Sequence, residues 1–184
     1  MPTLVSMIRG INVGGHRPLP MDRLRSIFED LGFGRVRTHL QSGNVVFEAP
    51  GTGADAISQA VARAILGGCG YEVAVATRTA AAMASVVRAN PFLGRRGVDP
   101  RFLHATFLIG AGPRATLRGA PLPLAPGEAA AMAGGVVYVY CPLGYGRTRI
   151  NNAFFERMLS ARATTRNWQT VTALEGMAAR RPEA

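Results

Sequence analysis

Lysine is absent from this chain. All 21 basic residues are arginine, only 11 acids oppose them, and the formal charge is +10. The missing lysine, with abundant Ala and Gly, reads as the codon choice of a GC-rich genome, but that does not account for the shortage of acids. Carboxylates this few and scattered give paired-carboxylate glycosidase chemistry little to work with. The only two cysteines, Cys69 and Cys141, have neither CxxC nor metal-ligand spacing, so they read as reduced, buried small hydrophobes. His16, His39 and His104 have no partner at a recognised catalytic or ligand spacing, and no metal is expected. His16, inside a glycine loop, is the one histidine worth testing as an acid or base. No apolar run reaches the roughly 18–20 residues of a membrane span, so no membrane partner is expected. Met1-Pro2-Thr3-Leu4 enters a strand pattern without the basic start or cleavage site of a signal peptide, and the expected location is the cytoplasm.

The chain has 184 residues, 48% of them hydrophobic and 17% charged. That supports a filled core in one domain or two small ones. Residues 3–9 read as a buried strand. Residues 20–31 read as a helix with Met21, Leu24, Ile27, Phe28 and Leu31 on one face. Val36, Thr38 and Leu40 alternate with Arg35, Arg37 and His39 in a half-exposed strand, Ser42-Gly43 turns the chain, and residues 44–48 return. A helix over 54–66 closes at Gly67-Gly68, and a strand follows over 71–77. The order β-α-β-β-α-β predicts an α+β, ferredoxin-like (split βαβ) unit over 1–78, packed against a second α+β subdomain over 79–184. The second half reads as a helix at 79–90, a strand at 102–109 and an irregular proline-bearing stretch at 110–127. It continues with a hairpin of 128–133 and 136–141 about Gly134-Gly135, helices at 150–160 and 167–178, and a frayed tail from Arg180. No short-period repeat is present; a degenerate relationship between the two halves stays open.

Two polar segments interrupt the first apolar runs: Arg9-Gly10-Ile11-Asn12-Val13-Gly14-Gly15 and Gln41-Ser42-Gly43-Asn44. In a split βαβ unit the first two strands run the same way, so both segments leave at one end of the sheet. Glycines such as Gly14, Gly15 and Gly43 let backbone N–H groups face a ligand. Arg9 adds a charged fork, and Asn12, Gln41, Ser42 and Asn44 add neutral donors and acceptors. The set suits a carboxylate or phosphate. It matches neither GxGxxG nor a P-loop, and no cofactor is named by it. The alternative is that these residues only turn the chain and satisfy local backbone groups. A second constellation, Gly144-Tyr145-Gly146-Arg147-Thr148-Arg149, and a third, Thr164-Thr165-Arg166-Asn167-Trp168, each read as arginines at a helix start, where an anion is favoured. Trp168 reads as core.

Three functions follow. The first is a small-anion binder, or an enzyme acting on such an anion, using Arg9, Asn12, Gly14, Gly15, Gln41, Ser42, Gly43 and Asn44, with Arg147, Thr148, Arg149 and Arg166 from the second half. The second is a nucleic-acid module using Arg35, Arg37 and His39; it lacks the aromatic platform of sheet-type RNA binders. The third is an interaction domain without a ligand. Nothing in the sequence fixes catalysis or oligomeric state.

Four separated segments also resemble a bacterial family. They are Leu4 to Gly15 (LVSMIRGINVGG), Thr38 to Phe47 (THLQSGNVVF), Asn90-Pro91-Phe92, and Thr165-Arg166-Asn167-Trp168 followed by Thr170-Val171. The family is the domain of unknown function numbered 1697. The resemblance implies an α+β fold with ferredoxin-like subdomains and implies no activity. This chain carries arginine where relatives often carry lysine, notably around Arg147-Thr148-Arg149.

Overall fold

The structure, a computed structural model, describes residues 1–51, 53–110 and 116–180. It is a mixed α+β protein with two four-stranded antiparallel sheets and five α-helices. The chain divides into two compact units: Met1–Ala84 with the chain from Ala173 onward, and Ser85–Thr172.

The first unit begins with β1 (Thr3–Ile8), α1 (Met21–Asp30), β2 (Gly34–His39), β3 (Asn44–Glu48), α2 (Ala54–Cys69) and β4 (Val75–Thr79). Its sheet order is β2-β3-β1-β4. Both β1 and β2 pair antiparallel with β3, so they run in the same direction, and the loops leaving them emerge together. One sheet face carries Leu4, Ile8, Val45, Phe47 and Val75. Leu24, Ile27 and Phe28 of α1 and Ile57, Val61 and Ile65 of α2 pack on it. Phe47 anchors an aromatic cluster, its ring centroid 4.9 Å from Phe28 and 5.0 Å from Phe33. Val5, Met7 and Val46 on the other face are also buried. Burial on both faces explains why β1 reads as an unbroken apolar run.

Two boundaries differ from expectation. Gly67-Gly68 does not stop α2, which continues to Cys69 and ends at Gly70 in the left-handed conformation (φ 77°). A run of i→i−4 bonds already in place tolerates two glycines, whereas a left-handed residue ends it. The following strand consequently sits at 75–79 rather than 71–77.

The second unit contains β5 (Leu103–Ile109), β6 (Ala129–Ala133), β7 (Val136–Tyr140), α4 (Asn152–Leu159) and β8 (Arg162–Asn167), ordered β6-β7-β5-β8. Two helices straddle the division of the chain: α3 (Ala80–Arg88) and α5 (Trp168–Ala179). The strand β8 was not expected. It holds one apolar residue, Ala163, and its remaining buried side chains are polar, so hydrophobic alternation does not reveal it. Between β5 and β6 no helix occurs among the described residues; Leu117 and Leu122 reach the core instead. Prolines at 121, 123 and 126 deny that stretch helical hydrogen bonds. Part of the expected irregular stretch (111–115), and the expected tail beyond Arg180, lie outside the described residues.

The two sheets follow one plan. Each places its first strand between its third and fourth, and the registers correspond: Leu4↔Thr79, Ser6↔Thr77 and Ile8↔Val75 against His104↔Asn167, Thr106↔Thr165 and Leu108↔Ala163. Each has a hydroxyl pair at the same crossing, Ser6 with Thr77 at 2.8 Å and Thr106 with Thr165 at 2.7 Å. A helix adds a third polar group to each, Ser58 in one and Asn152 in the other. On the opposite face each fourth strand carries an arginine, Arg78 or Arg166, whose guanidinium donates to the carbonyl of the preceding residue. Burial pushes both arginines below their usual pKa, Arg166 to about 10. The hydroxyl pair, the added polar group and the strand arginine thus recur in both units.

In the second unit the Thr165 hydroxyl is a hub. It donates to Asn152 Oδ1 (2.7 Å) and accepts from the Tyr145 hydroxyl (3.0 Å), so the Thr106 hydroxyl must donate to it. Thr165→Val removes that hub but leaves Tyr145 and Asn152 half-buried and within reach of water. The expected cost is about 2 kcal/mol, read as a lower urea midpoint at unchanged slope.

Candidate functional site

The two glycine segments of the first unit come together. The Ile8 N–H donates to the Gly43 carbonyl at 2.8 Å. The Asn12 amide bridges further out: Nδ2 donates to the carbonyls of Gln41 (2.8 Å) and Leu19 (2.9 Å), while Oδ1 accepts from the Leu19 N–H (2.7 Å). Asn12 sits at φ 55°, a left-handed conformation that asparagine tolerates better than most residues. The chain beyond it forms a small hairpin: the Asn12 N–H donates to the Arg17 carbonyl and the His16 N–H to the Val13 carbonyl. Gly14 (φ 59°) and Gly15 (φ 76°) are its central pair, the sign pattern of a type I′ turn. Their first role is therefore to turn the chain.

Asn44 is fully buried, its Nδ2 donating to the His39 carbonyl and Ser42 Oγ, both at 3.0 Å. The connection from β2 to β3 is a four-residue loop, Leu40 to Gly43, rather than a two-residue turn on Ser42-Gly43. Gly43 (φ 75°) lies against Ile11: a Cβ there would meet Ile11 Cδ1 at 2.7 Å. Thus Asn12, Gly43 and Asn44 build the loop pair, and Gln41 contributes its backbone carbonyl while its side chain is exposed.

The cations stand around this frame. Arg9 is half-buried at its root. Arg17, which reading of the sequence did not select, is exposed, and its guanidinium lies 3.7 Å from where a Gly10 Cβ would be. No acidic partner of Arg17 occurs among the described residues. Arg17 also holds φ 51° and Leu40 φ 57°, left-handed values that neither side chain favours. Among the described residues, three of the five non-glycine residues with positive φ, Asn12, Arg17 and Leu40, belong to these two loops. No motif could have singled out Arg17; its interest lies in its backbone.

The residues of the second unit behave differently. Residues 145–147 form one turn of 3-10 helix, and α4 starts only at Asn152, capped by Asn151, whose Oδ1 accepts from the Phe154 N–H. Arg147 and Arg149 therefore precede the helix rather than open it, and both are exposed. Thr148 is buried: its Oγ1 accepts from the Ile150 N–H and its hydroxyl contacts the Cys141 thiol, which burial pushes up to about 11. Arg166 lies within β8, not at a helix start. It is 9% exposed, with Nη1 donating to Thr164 Oγ1 at 2.8 Å. Asn167 caps α5 through the Thr170 N–H, and Trp168 is buried as expected.

A further feature escaped the sequence reading. The His104 ring stacks on Tyr145 with centroids 4.7 Å apart, and its Nδ1 faces the Phe102 carbonyl at 3.2 Å. Burial holds the His104 pKa below its ordinary value. Two arginines of the basic strand have partners within the unit and stay exposed: Arg35 stands 3.7 Å from Glu48, and Arg37 donates to the Met177 carbonyl at 2.8 Å. Neither cysteine is in a disulfide. Among the described residues no group of three His, Cys, Asp or Glu side chains could hold a metal, and no helix is long and apolar enough to cross a membrane.

The fold is similar to that of conserved bacterial protein SP0830 from Streptococcus pneumoniae. The two align with a TM-score of 0.70 at 17% identity over 96% of this chain and 98% of that one. No curated protein matches the sequence. A family model matches residues 1–138, which include the whole loop pair and end before Arg147. On that match the chain belongs to the family described as protein of unknown function DUF1697.

Proposed function

We propose that the loop pair of the first unit binds a small anionic ligand, a carboxylate or a phosphate. The observation that carries this reading is Arg17: an exposed cation held at φ 51° with no acidic partner among the described residues. A left-handed arginine costs about 1 kcal/mol; its carbonyl is used inside the fold, by the Asn12 N–H and the Tyr71 hydroxyl, and its guanidinium is what faces solvent. Arg17 supplies a planar fork for a bidentate contact, Arg9 adds charge from the root, and His16 stands on the same small hairpin. The surplus of +10 raises the local concentration of anions.

The second unit supplies an internal control. Its corresponding hairpin joins β6 to β7 through Gly134 and Gly135 alone, at φ 57° and 75°. The shared plan is thus satisfied without Leu40, Gln41, Ser42 or Asn44, and the polar loop of the first unit is an addition to it. The nucleic-acid alternative is weaker, because the sheet positions Val5, Met7 and Val46 are buried and Arg35 and Arg37 already have partners in Glu48 and the Met177 carbonyl.

Arg17→Ala is expected to lower the affinity for phosphate or acetate about tenfold, the scale of one charge-assisted hydrogen bond, while stability stays within about 0.5 kcal/mol. Titration calorimetry and urea unfolding on the same samples check both halves. Unchanged affinity with intact folding would remove Arg17 from the site.

A further inference from the structure

We infer that the ligand of this loop pair carries a short aliphatic body beside its anion, a deepening that rests on the anion-binding reading above. Leu40 bears two local costs at once. It is a γ-branched residue at φ 57°, and it is 57% exposed. Val13 is 62% exposed. The two flank one contact: Val13 follows Asn12, Leu40 precedes Gln41, and Asn12 Nδ2 donates to the Gln41 carbonyl at 2.8 Å. Arg17 pairs with Asn12 across the hairpin through the Asn12 N–H and its own carbonyl. Two exposed apolar residues and an exposed arginine therefore lie next in the chain, or across the small hairpin, to one hydrogen-bonded crossing of the loops. A bare inorganic anion gains nothing from Val13 and Leu40; an aliphatic carboxylate or phosphate monoester removes them from water while its charged end meets Arg17. The corresponding hairpin of the second unit presents no such pair: Val136 is 1% exposed and the turn is glycine.

The test is a chain-length series, acetate, butyrate, hexanoate and octanoate, titrated calorimetrically into the full chain at fixed ionic strength, with inorganic phosphate as reference. Affinity should rise about twofold to threefold per methylene, as for partly buried apolar surface. Leu40→Asn keeps a residue that accepts φ 57°, so the loop persists, and with Val13→Ser it should flatten the series while acetate affinity is retained. A flat series in the parent, with acetate or phosphate still bound, overturns this inference and leaves the anion reading standing. A rising series that both variants leave unchanged puts the apolar contact elsewhere and also overturns it. Failure of every member, phosphate included, defeats the anion reading itself.

Discussion

Gly43→Ala should destabilise the protein by about 3 kcal/mol, of which about 1 kcal/mol is the left-handed penalty and the rest the clash in a packed site. The penalty follows from φ 75°. The clash follows from the place a Cβ would occupy, 2.7 Å from Ile11 Cδ1 and 3.0 Å from Ile8 Cβ. Ile8 and Ile11 are buried, at 0% and 1% exposure, so neither can swing into solvent. The Gly43 carbonyl also receives the Ile8 N–H, and moving the loop to relieve the clash would break that bond. For a chain of this size the melting temperature should fall by about 6–12 °C. Gly15→Ala is the matched comparison: its φ is 76° but its Cβ position has nothing within 4 Å, so only the backbone penalty should appear. Equal losses in the two variants would show that Gly43 is required for its φ alone.

Asn12→Ala should cost nearly as much, about 2–4 kcal/mol, for a different reason. It removes three hydrogen bonds at once and strands the N–H and carbonyl of buried Leu19. Alanine also meets the left-handed penalty at φ 55°. Asn12→Gly separates the two effects, since glycine accepts the backbone but restores no bond; it should recover about 1 kcal/mol of the loss. Asn12→Asp keeps an acceptor for the Leu19 N–H but sets negative oxygens against the Gln41 and Leu19 carbonyls. It should be destabilised and should also bind anions more weakly than any of the others. Urea unfolding ranks the stabilities, and calorimetry with phosphate ranks the affinities. If Asn12→Ala unfolds like the parent, the amide does not hold the two loops together.

Much of this was legible from residue order. The apolar runs of β1 and β3, the 3.6-residue stripe of Leu24, Ile27 and Phe28, and the glycine pair at 134–135 each point to one local structure, and right-handed crossover logic then brings the two glycine segments to the same end of the sheet. What escaped had physical reasons. Strand β8 buries Thr164 and Arg166, hydrogen-bonded to each other, and half-buries Thr165 against Thr106 of β5, a pattern that hydrophobic periodicity does not register. Reading Arg166 as a helix-start residue followed from missing that strand. Asparagine in a glycine loop marks a turn, but nothing in the sequence says that its amide spans to Leu19 and Gln41. Arg17 and Leu40 are ordinary in composition; their positive φ values appear only once the loops close.

The most direct test of the central claim is an amide-resolved NMR titration of the full chain with phosphate and then acetate. The account predicts saturable shifts confined to Gly10 through Arg17 and Leu40 through Gly43, abolished by Arg17→Ala in a protein that remains folded. Shifts that never saturate, or that spread over the arginine surface and vanish with added salt, would contradict it.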